Sequence, residues 1–202
     1  MEEKQELRNE LIKKRDAIDS RDWEEKSKLI QRTLITSSLY KKADYILAYA
    51  DFHGEVGTYM IIENALLSGK RVFLPRVLEN FTESKMEFFE INSTSELVSG
   101  FKGIMEPLGN KQRVYNPADW TGKKVLMTVP GVAFDKRNFR MGYGRGFYDN
   151  YLKDKPEIIK CGLCFSMQIL DEIPVTDNDI QMDFCVSELT KYDELARITE
   201  KY

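Results

Sequence analysis

Apolar residues recur at helical spacing in three stretches of the first third of the chain. Residues 4–18 carry apolar side chains on one face and charged ones on the other, which predicts an N-terminal helix. A second helix is predicted to open at a capping box formed by Asp22 and Glu25. Thr58 is the predicted N-cap of a third helix, and Gly69 its terminator.

Short apolar runs rich in strand-forming residues alternate with these helices. They predict strands at residues 45–50, 71–75, 85–91, 125–129 and 158–165, with a last strand that ends at Val186. A short helix is predicted near residues 93–98, and residues 100–124 lack periodicity and are interpreted as loop. The alternation predicts a single-domain α/β fold: a three-layer α/β/α sandwich around a mostly parallel sheet.

Composition and charge narrow the class of protein. The 202 residues have a net charge of −3, which argues against non-specific nucleic-acid binding. No apolar run is long enough to span a membrane, and the charged N-terminus has no apolar signal core. We therefore expect a cytoplasmic protein, and a monomer that acts on small molecules.

The cysteines offer one motif, a C-x-x-C at Cys161 and Cys164. It lies in a predicted strand, where residues three apart point to opposite faces and cannot pair, so core packing is favoured over redox chemistry. Cys185 has no histidine partner nearby in sequence, which argues against a zinc site.

The most informative stretch is RMGYGRGFYD at residues 140–149. Three alternating glycines can each adopt positive φ, and a loop of this kind can turn its N–H groups toward an anion. The two arginines suit phosphate oxygens, and Asp149 offers the hard oxygen that Mg²⁺ prefers. Neither a dinucleotide fingerprint nor a P-loop fits the spacing. A plain glycine-rich turn with solvated arginines is the alternative interpretation.

A second loop is predicted to share this site, because ligands in parallel sheets bind beyond the carboxyl ends of strands. Residues 51–57 follow the first strand, and residues 130–146 follow the 125–129 strand. Glu55 thereby becomes a candidate site residue. His53, the only histidine, is interpreted as structural more readily than as catalytic.

Four segments in order along the chain resemble the 5-formyltetrahydrofolate cyclo-ligase family, also called 5,10-methenyltetrahydrofolate synthetases. They are KQELR at 4–8, EVGT at 55–58, VPGVAFD at 129–135 followed by the glycine segment, and IPVTDND at 173–179. The resemblance implies an α/β/α sandwich. It also implies an ATP- and Mg²⁺-dependent cyclisation of 5-formyltetrahydrofolate to 5,10-methenyltetrahydrofolate, through a phosphorylated formyl (imidate) intermediate.

The resemblance also implies roles for individual residues. By this resemblance, Arg140 and Arg145 are catalytic, and Asp149 and Asp179 bind magnesium. The residues expected to bind ATP are Lys4, Arg8, Arg140, Gly142, Gly144, Arg145, Gly146 and Tyr148. Those expected to bind the folate are Ala50, Phe52, Glu55, Tyr143 and Phe147.

The chain departs from the family pattern at three places. Asn138-Phe139 stands where many relatives have a glycine, Tyr143 replaces a frequent basic residue, and Phe147 replaces a tyrosine. Two rival functions share the fold class: a nucleotide- or sugar-phosphate-sensing domain without chemistry, and a sugar-phosphate isomerase. The isomerase needs a base, for which only Glu55 and Asp135 are candidates.

Overall fold

The computed structural model of the chain describes residues 2–78 and 85–202. Its helices are α1 (Glu2–Asp16), α2 (Ser20–Thr36), α3 (Ser38–Lys42), α4 (Tyr59–Leu67), α5 (Phe147–Leu152) and α6 (Tyr192–Thr199). The predicted capping box at Asp22 is wrong, because α2 opens earlier and Asp19 caps it by accepting from the N–H groups of Arg21 and Asp22. Thr58 does precede α4, yet its hydroxyl donates to the carbonyl of Tyr49 instead of capping the helix.

Across the described ranges, eleven strands form three sheets. They are β1 (Tyr45–Leu47), β2 (Arg71–Val77), β3 (Met86–Ile91), β4 (Leu97–Ser99), β5 (Met105–Pro107), β6 (Val125–Val129), β7 (Ala133–Asp135), β8 (Arg140–Met141), β9 (Ile158–Leu163), β10 (Ile169–Leu170) and β11 (Phe184–Val186). The main sheet has the order β11-β9-β6-β1-β2-β3. All its pairings are parallel except the one between β2 and the edge strand β3.

The strands of the main sheet are buried on both faces. In β1, Ile46 packs with α2, α3, α4 and α6 on one face, while Tyr45 and Leu47 pack with α5 on the other. Because helices cover both faces of the sheet, its strands need apolar residues at consecutive positions. The predicted sandwich with a mostly parallel sheet is confirmed.

The weaker sequence predictions needed correction. The 93–98 helix is only a 3₁₀ turn, Thr94–Glu96, followed by β4. The 100–124 loop contains β5, which pairs antiparallel with β4. The turn predicted after β6 contains the β7–β8 hairpin, and α6 follows the last strand.

Cys161 and Cys164 are buried in different clusters on opposite faces of the sheet, as their spacing predicted. Burial raises the pKa of both thiols well above the ordinary value, which suits packing and not redox chemistry. Over the described residues, none of the helices combines the length and the apolar character that a bilayer crossing demands.

Candidate active site

The order of the main sheet creates a crevice between β1 and β6. From β1 the chain proceeds to β2 on one side, while β6 leads to β9 and β11 on the other. Loops that leave two such neighbouring parallel strands diverge and open a cleft at the carboxyl edge. A cavity of about 1310 Å³ lies here, between residues 49–55, residues 130–149, the start of α1 and Asp179.

Every residue that the sequence assigned to the site lines this one cavity. The set is Lys4, Arg8, Ala50, Phe52, Glu55, Arg140, Gly142, Tyr143, Gly144, Arg145, Gly146, Phe147, Tyr148, Asp149 and Asp179. These residues come from four stretches of the chain, and up to 84 residues of intervening sequence separate one stretch from the next. The sheet topology is what brings them together.

A tight hairpin fixes Arg140 at the bottom of the cavity. The Asp135 carboxylate accepts from the N–H groups of Arg137 and Phe139 and closes the β7–β8 turn. Arg140, which opens β8, is only 4% exposed and donates from Nη2 to Asp149 Oδ2 at 2.8 Å. Its guanidinium also lies 5.4 Å from the centre of the Tyr148 ring.

Asp135 is therefore a structural residue and not the base that an isomerase would need. Burial raises the pKa of its carboxyl, but the hydrogen bonds from Arg137, Phe139 and Ile173 more than offset this, and the pKa lies below its ordinary value. A carboxylate with its oxygens bonded in this way is a poor proton acceptor at neutral pH.

The glycines of the loop are needed for two different reasons. Gly144 and Gly146 have φ of +93° and +66°, the left-handed region that favours glycine. Gly142 does not have positive φ, contrary to the expectation for all three glycines. A Cβ at Gly142 would instead lie 2.7 Å from Arg140 Nη1, so a side chain there would require the Arg140 guanidinium to shift.

The start of α1 contacts the glycine loop and the segment at Asp179. Lys4 Nζ donates to Asp179 Oδ2 at 2.9 Å, and Arg8 Nε donates to the Gly142 carbonyl at 2.9 Å. Both cations lie on one helical face four residues apart. The helix thus adds two positive side chains to the cavity wall beside the loop.

Arg145 differs from the other cations of the site. It is exposed, and it forms no hydrogen bond or ion pair with any residue in the described ranges. Its guanidinium is therefore available to an anionic ligand.

Asp149 and Asp179 lie in the same corner, since Asp149 Oδ1 accepts from the N–H of Ile180 at 3.1 Å. Their donor set fits Mg²⁺ bound together with phosphates, which uses one or two carboxylates and completes its shell with phosphate oxygens and water. Within residues 2–78 and 85–202, no group of three acidic, histidine or cysteine side chains could hold a metal by itself. In the structure Arg140 and Lys4 pair with these two carboxylates.

Glu55 is a buried carboxyl group at the opposite wall of the cavity. Burial raises its pKa to about 7, against the opposing effects of Arg15, the Phe52 N–H and Arg140. Glu55 Oε2 accepts from that N–H at 3.1 Å, which fixes the side chain within its own loop. Neighbouring His53 has φ of +46° and presents its backbone carbonyl, not its ring, to Arg15.

Sequence reasoning missed Arg15 and the β4–β5 hairpin. Arg15 lies on the same face of α1 as Lys4, Arg8 and the buried Leu11. This helical spacing could have indicated from the sequence that Arg15 faces the site. The hairpin brings Phe101, Lys102, Ile104 and Glu106 to the cavity, with Phe101 edge-on to Phe147 at 6.4 Å between ring centres. No motif marks these residues in the sequence.

Comparison with known proteins decides the family. The model of the "5-formyltetrahydrofolate cyclo-ligase family" matches residues 1–188. The chain belongs to this family.

Several proteins named as members of this family are similar to nearly the whole chain. A 5-formyltetrahydrofolate cyclo-ligase of Mus musculus is 30% identical over 185 residues, 88% of this chain and 89% of the relative. One of Escherichia coli K12 is 30% identical over 181 residues, 88% of this chain and 96% of the relative. The NMR structure of Aquifex aeolicus 5,10-methenyltetrahydrofolate synthetase has a TM-score of 0.79 at 29% identity and covers 93% of this chain and 90% of its own.

The structure accounts for the three departures from the pattern of the cyclo-ligase family. Asn138 has φ of +64°, a conformation that glycine adopts freely and asparagine tolerates better than most residues. The Tyr143 hydroxyl accepts a hydrogen bond from Arg15, so a buried cation stands behind the position where the resemblance implies a frequent basic residue. Phe147 packs against Phe101 and needs no hydroxyl for this contact.

Proposed function

We propose that this chain catalyses the ATP- and Mg²⁺-dependent cyclisation of 5-formyltetrahydrofolate to 5,10-methenyltetrahydrofolate, with release of ADP and phosphate. The single observation that carries the proposal is the convergence of all the family's site positions on one cavity. Family membership supports an enzyme over a sensing domain. Ligand cavities commonly measure roughly 300–1,000 Å³. The volume of about 1310 Å³ leaves room for two substrates side by side.

ATP is assigned to the end of the cavity formed by α1 and the glycine loop. Lys4, Arg8 and Arg145 supply positive charge, and Gly142, Gly144 and Gly146 allow close approach of phosphate to the backbone. Tyr148 completes this wall, and burial raises the pKa of its phenol, which therefore stays protonated. Mg²⁺ held by Asp149 and Asp179 would neutralise charge on the phosphate oxygens.

The folate is assigned to the wall formed by residues 50–55 and the aromatic side of the glycine loop. Ala50, Phe52 and Phe147 offer apolar surface for a flat ring, and Tyr143 borders it. Glu55 accepts hydrogen bonds there, either from the amino-pyrimidine edge of the pterin or on the N10 side.

The reaction then needs positioning more than acid–base chemistry. The formyl oxygen attacks the γ-phosphorus, the bond to ADP breaks, and the oxygen becomes a leaving group. N10 of the same folate attacks the formyl carbon and loses its proton, and the C–O bond breaks to release phosphate. Arg140 and Arg145 stabilise the negative charge that is spread over the transferring group.

The decisive experiment follows the absorbance of the methenyl product with purified protein, MgATP and 5-formyltetrahydrofolate. We expect a rise only in the complete mixture, with controls that lack ATP, magnesium or protein. A flat trace with ATP binding still measurable would contradict the proposal and favour the sensing domain. Cytoplasmic location and a monomeric state remain predictions, which fractionation and light scattering test.

A further inference from the structure

Arg15 is a buried cation that lies behind the cavity wall. It is 2% exposed and belongs to the last turn of α1. It does not line the cavity, and no carboxylate within the described part of the chain forms a direct ion pair with it. Burial of a guanidinium is costly unless other groups replace its hydration, so its partners indicate what it does.

Those partners belong to three different segments of the site. Nη2 donates to the His53 carbonyl at 2.7 Å and to the Tyr143 hydroxyl, and Nη1 donates to the Gly131 carbonyl at 3.3 Å. The guanidinium carbon also lies 5.5 Å from the centre of the Tyr143 ring. One planar group therefore joins the 51–57 loop, the turn after β6 and the glycine loop, which a single ammonium could not do.

The charge of Arg15 also acts on Glu55. Five other groups interact electrostatically with this carboxyl: Asp51 in its own loop, Arg140 at β8, and the phenols of Tyr49, Tyr143 and Tyr148. Among the charged groups, Arg15 has the largest effect and lowers the pKa of Glu55, while Asp51 raises it.

We propose that Arg15 is a positioning residue of this site, which fastens the 51–57 loop, and with it Glu55, to the turn after β6 and to the glycine loop. Its positive charge favours the carboxylate form of Glu55, the form that accepts hydrogen bonds from the substrate. The substrate part of this inference rests on the proposed cyclo-ligase function. The effect on Glu55 does not, and it can be measured in the free protein.

The test is a ¹³C NMR titration of glutamate carboxyl groups in the full chain. The resonance that Glu55→Gln removes identifies Glu55, and we expect its midpoint at about 7. Loss of an opposite charge nearby commonly moves a carboxyl midpoint upward by about one unit or more. Arg15→Met and Arg15→Gln should therefore raise the midpoint by that amount. Arg15→Lys and the exposed control Lys13→Met should leave it in place.

Kinetics tests the fastening role separately. Arg15→Lys keeps the charge but lacks the planar fork, so we expect about a tenfold rise in KM for 5-formyltetrahydrofolate with little change in kcat. In the neutral variants the acid limb of kcat/KM should also move to higher pH. Circular dichroism verifies folding, and Arg15→Gln, which can still donate to a carbonyl, serves if Arg15→Met does not fold.

The outcomes separate the two proposals. A Glu55 midpoint that stays in place in folded neutral variants, or an Arg15→Lys variant with unchanged KM, overturns the role of Arg15. A shifted midpoint in a protein without cyclo-ligase turnover keeps the link between Arg15 and Glu55 and overturns the proposed reaction instead.

Discussion

Burial of the Glu55 carboxyl makes the stability of the fold depend on pH. Its folded pKa of about 7 lies above the ordinary value of 4.5, so between these values the folded chain binds a proton that the unfolded chain has lost. Stability therefore falls as pH rises through this window. Each unit of pKa difference corresponds to about 1.4 kcal/mol, which gives a loss on the order of 3 kcal/mol by pH 8.

Glu55→Gln should remove this loss. Urea unfolding at pH 5, 6, 7 and 8 should show the variant gaining stability relative to the wild type as pH rises. The exposed Glu63→Gln on α4 is the matched control and should show no such trend. If the difference in unfolding free energy between Glu55→Gln and the wild type were constant across the pH range, it would contradict a raised pKa of Glu55.

Arg145 can be removed without disturbing the fold, because it is exposed and bonded to no described residue. If it stabilises the transferring phosphoryl group, Arg145→Ala should lower kcat about 100-fold or more. The melting temperature should stay within a degree or two, since surface substitutions cost little. Arg32→Ala, an exposed arginine on α2, is the control, and near-normal turnover in Arg145→Ala would remove the residue from this role.

Two glycines with similar backbone conformation separate strain from function. Gly146 and Gly69 have φ of +66° and +71°, and a Cβ at either would meet nothing closer than 3.8 Å. Replacement of either glycine by alanine should lower the free energy of unfolding by about 1–2 kcal/mol, because a residue with a Cβ disfavours the left-handed backbone conformation. Only Gly146→Ala should weaken ATP binding, as calorimetry can measure. Equal ATP affinity in the two variants would show that the loop conformation does not matter.

At the scale of elements, the packing of α1 determines where Lys4 and Arg8 lie in the cavity wall. Leu11 is 2% exposed and packs with Val132, Ala133, Met141 and Ile173 at the three-stranded sheet β10-β7-β8. Leu11→Ala should cost about 2–5 kcal/mol and loosen the helix that carries Lys4 and Arg8. We therefore expect KM for ATP to rise about tenfold with kcat nearly unchanged.

Leu34→Ala in α2 is the control for this element. Leu34 is fully buried in the core cluster that α2, α3, α4 and α6 form against the main sheet. Its replacement by alanine should lower the free energy of unfolding by a similar amount without a change in KM for ATP. Steady-state kinetics and denaturant unfolding of both variants decide the matter. An equal effect of the two substitutions on KM would mean that general loosening, and not the placement of α1, governs ATP binding.

The length and burial of each strand determined whether the sequence pattern could predict it. Strands such as Val125–Val129 carry nearly continuous apolar runs, interrupted here by Thr128, because both of their faces are covered, and the pattern identified them. The two-residue strand β8 and the β4–β5 hairpin are too short to have a period, and only pairing with distant residues creates them. Arg15 was missed because a charged helical residue is normally solvated, and its burial depends on the 51–57 loop folding over it.

At the scale of the whole molecule, the site depends on the complete topology. Lys4, Arg140 and Asp179 lie far apart in sequence, and the crevice between β1 and β6 together with the docking of α1 brings them to one wall. The unfolded chain has no equivalent of this wall. A ligand that binds only there must therefore stabilise the folded state by mass action.

MgATP at about 100 times its Kd should then raise the free energy of unfolding by about 2.7 kcal/mol. Adenosine, which lacks the phosphates that the cations and the glycine loop would bind, should give little stabilisation at the same concentration. Thermal unfolding with each ligand measures the difference, and the Arg145→Ala variant should show a smaller gain with MgATP. If adenosine stabilised the chain as much as MgATP does, the base and not the phosphates would supply the affinity. The convergence of Lys4, Arg8 and Arg145 on the cavity would then need a different ligand.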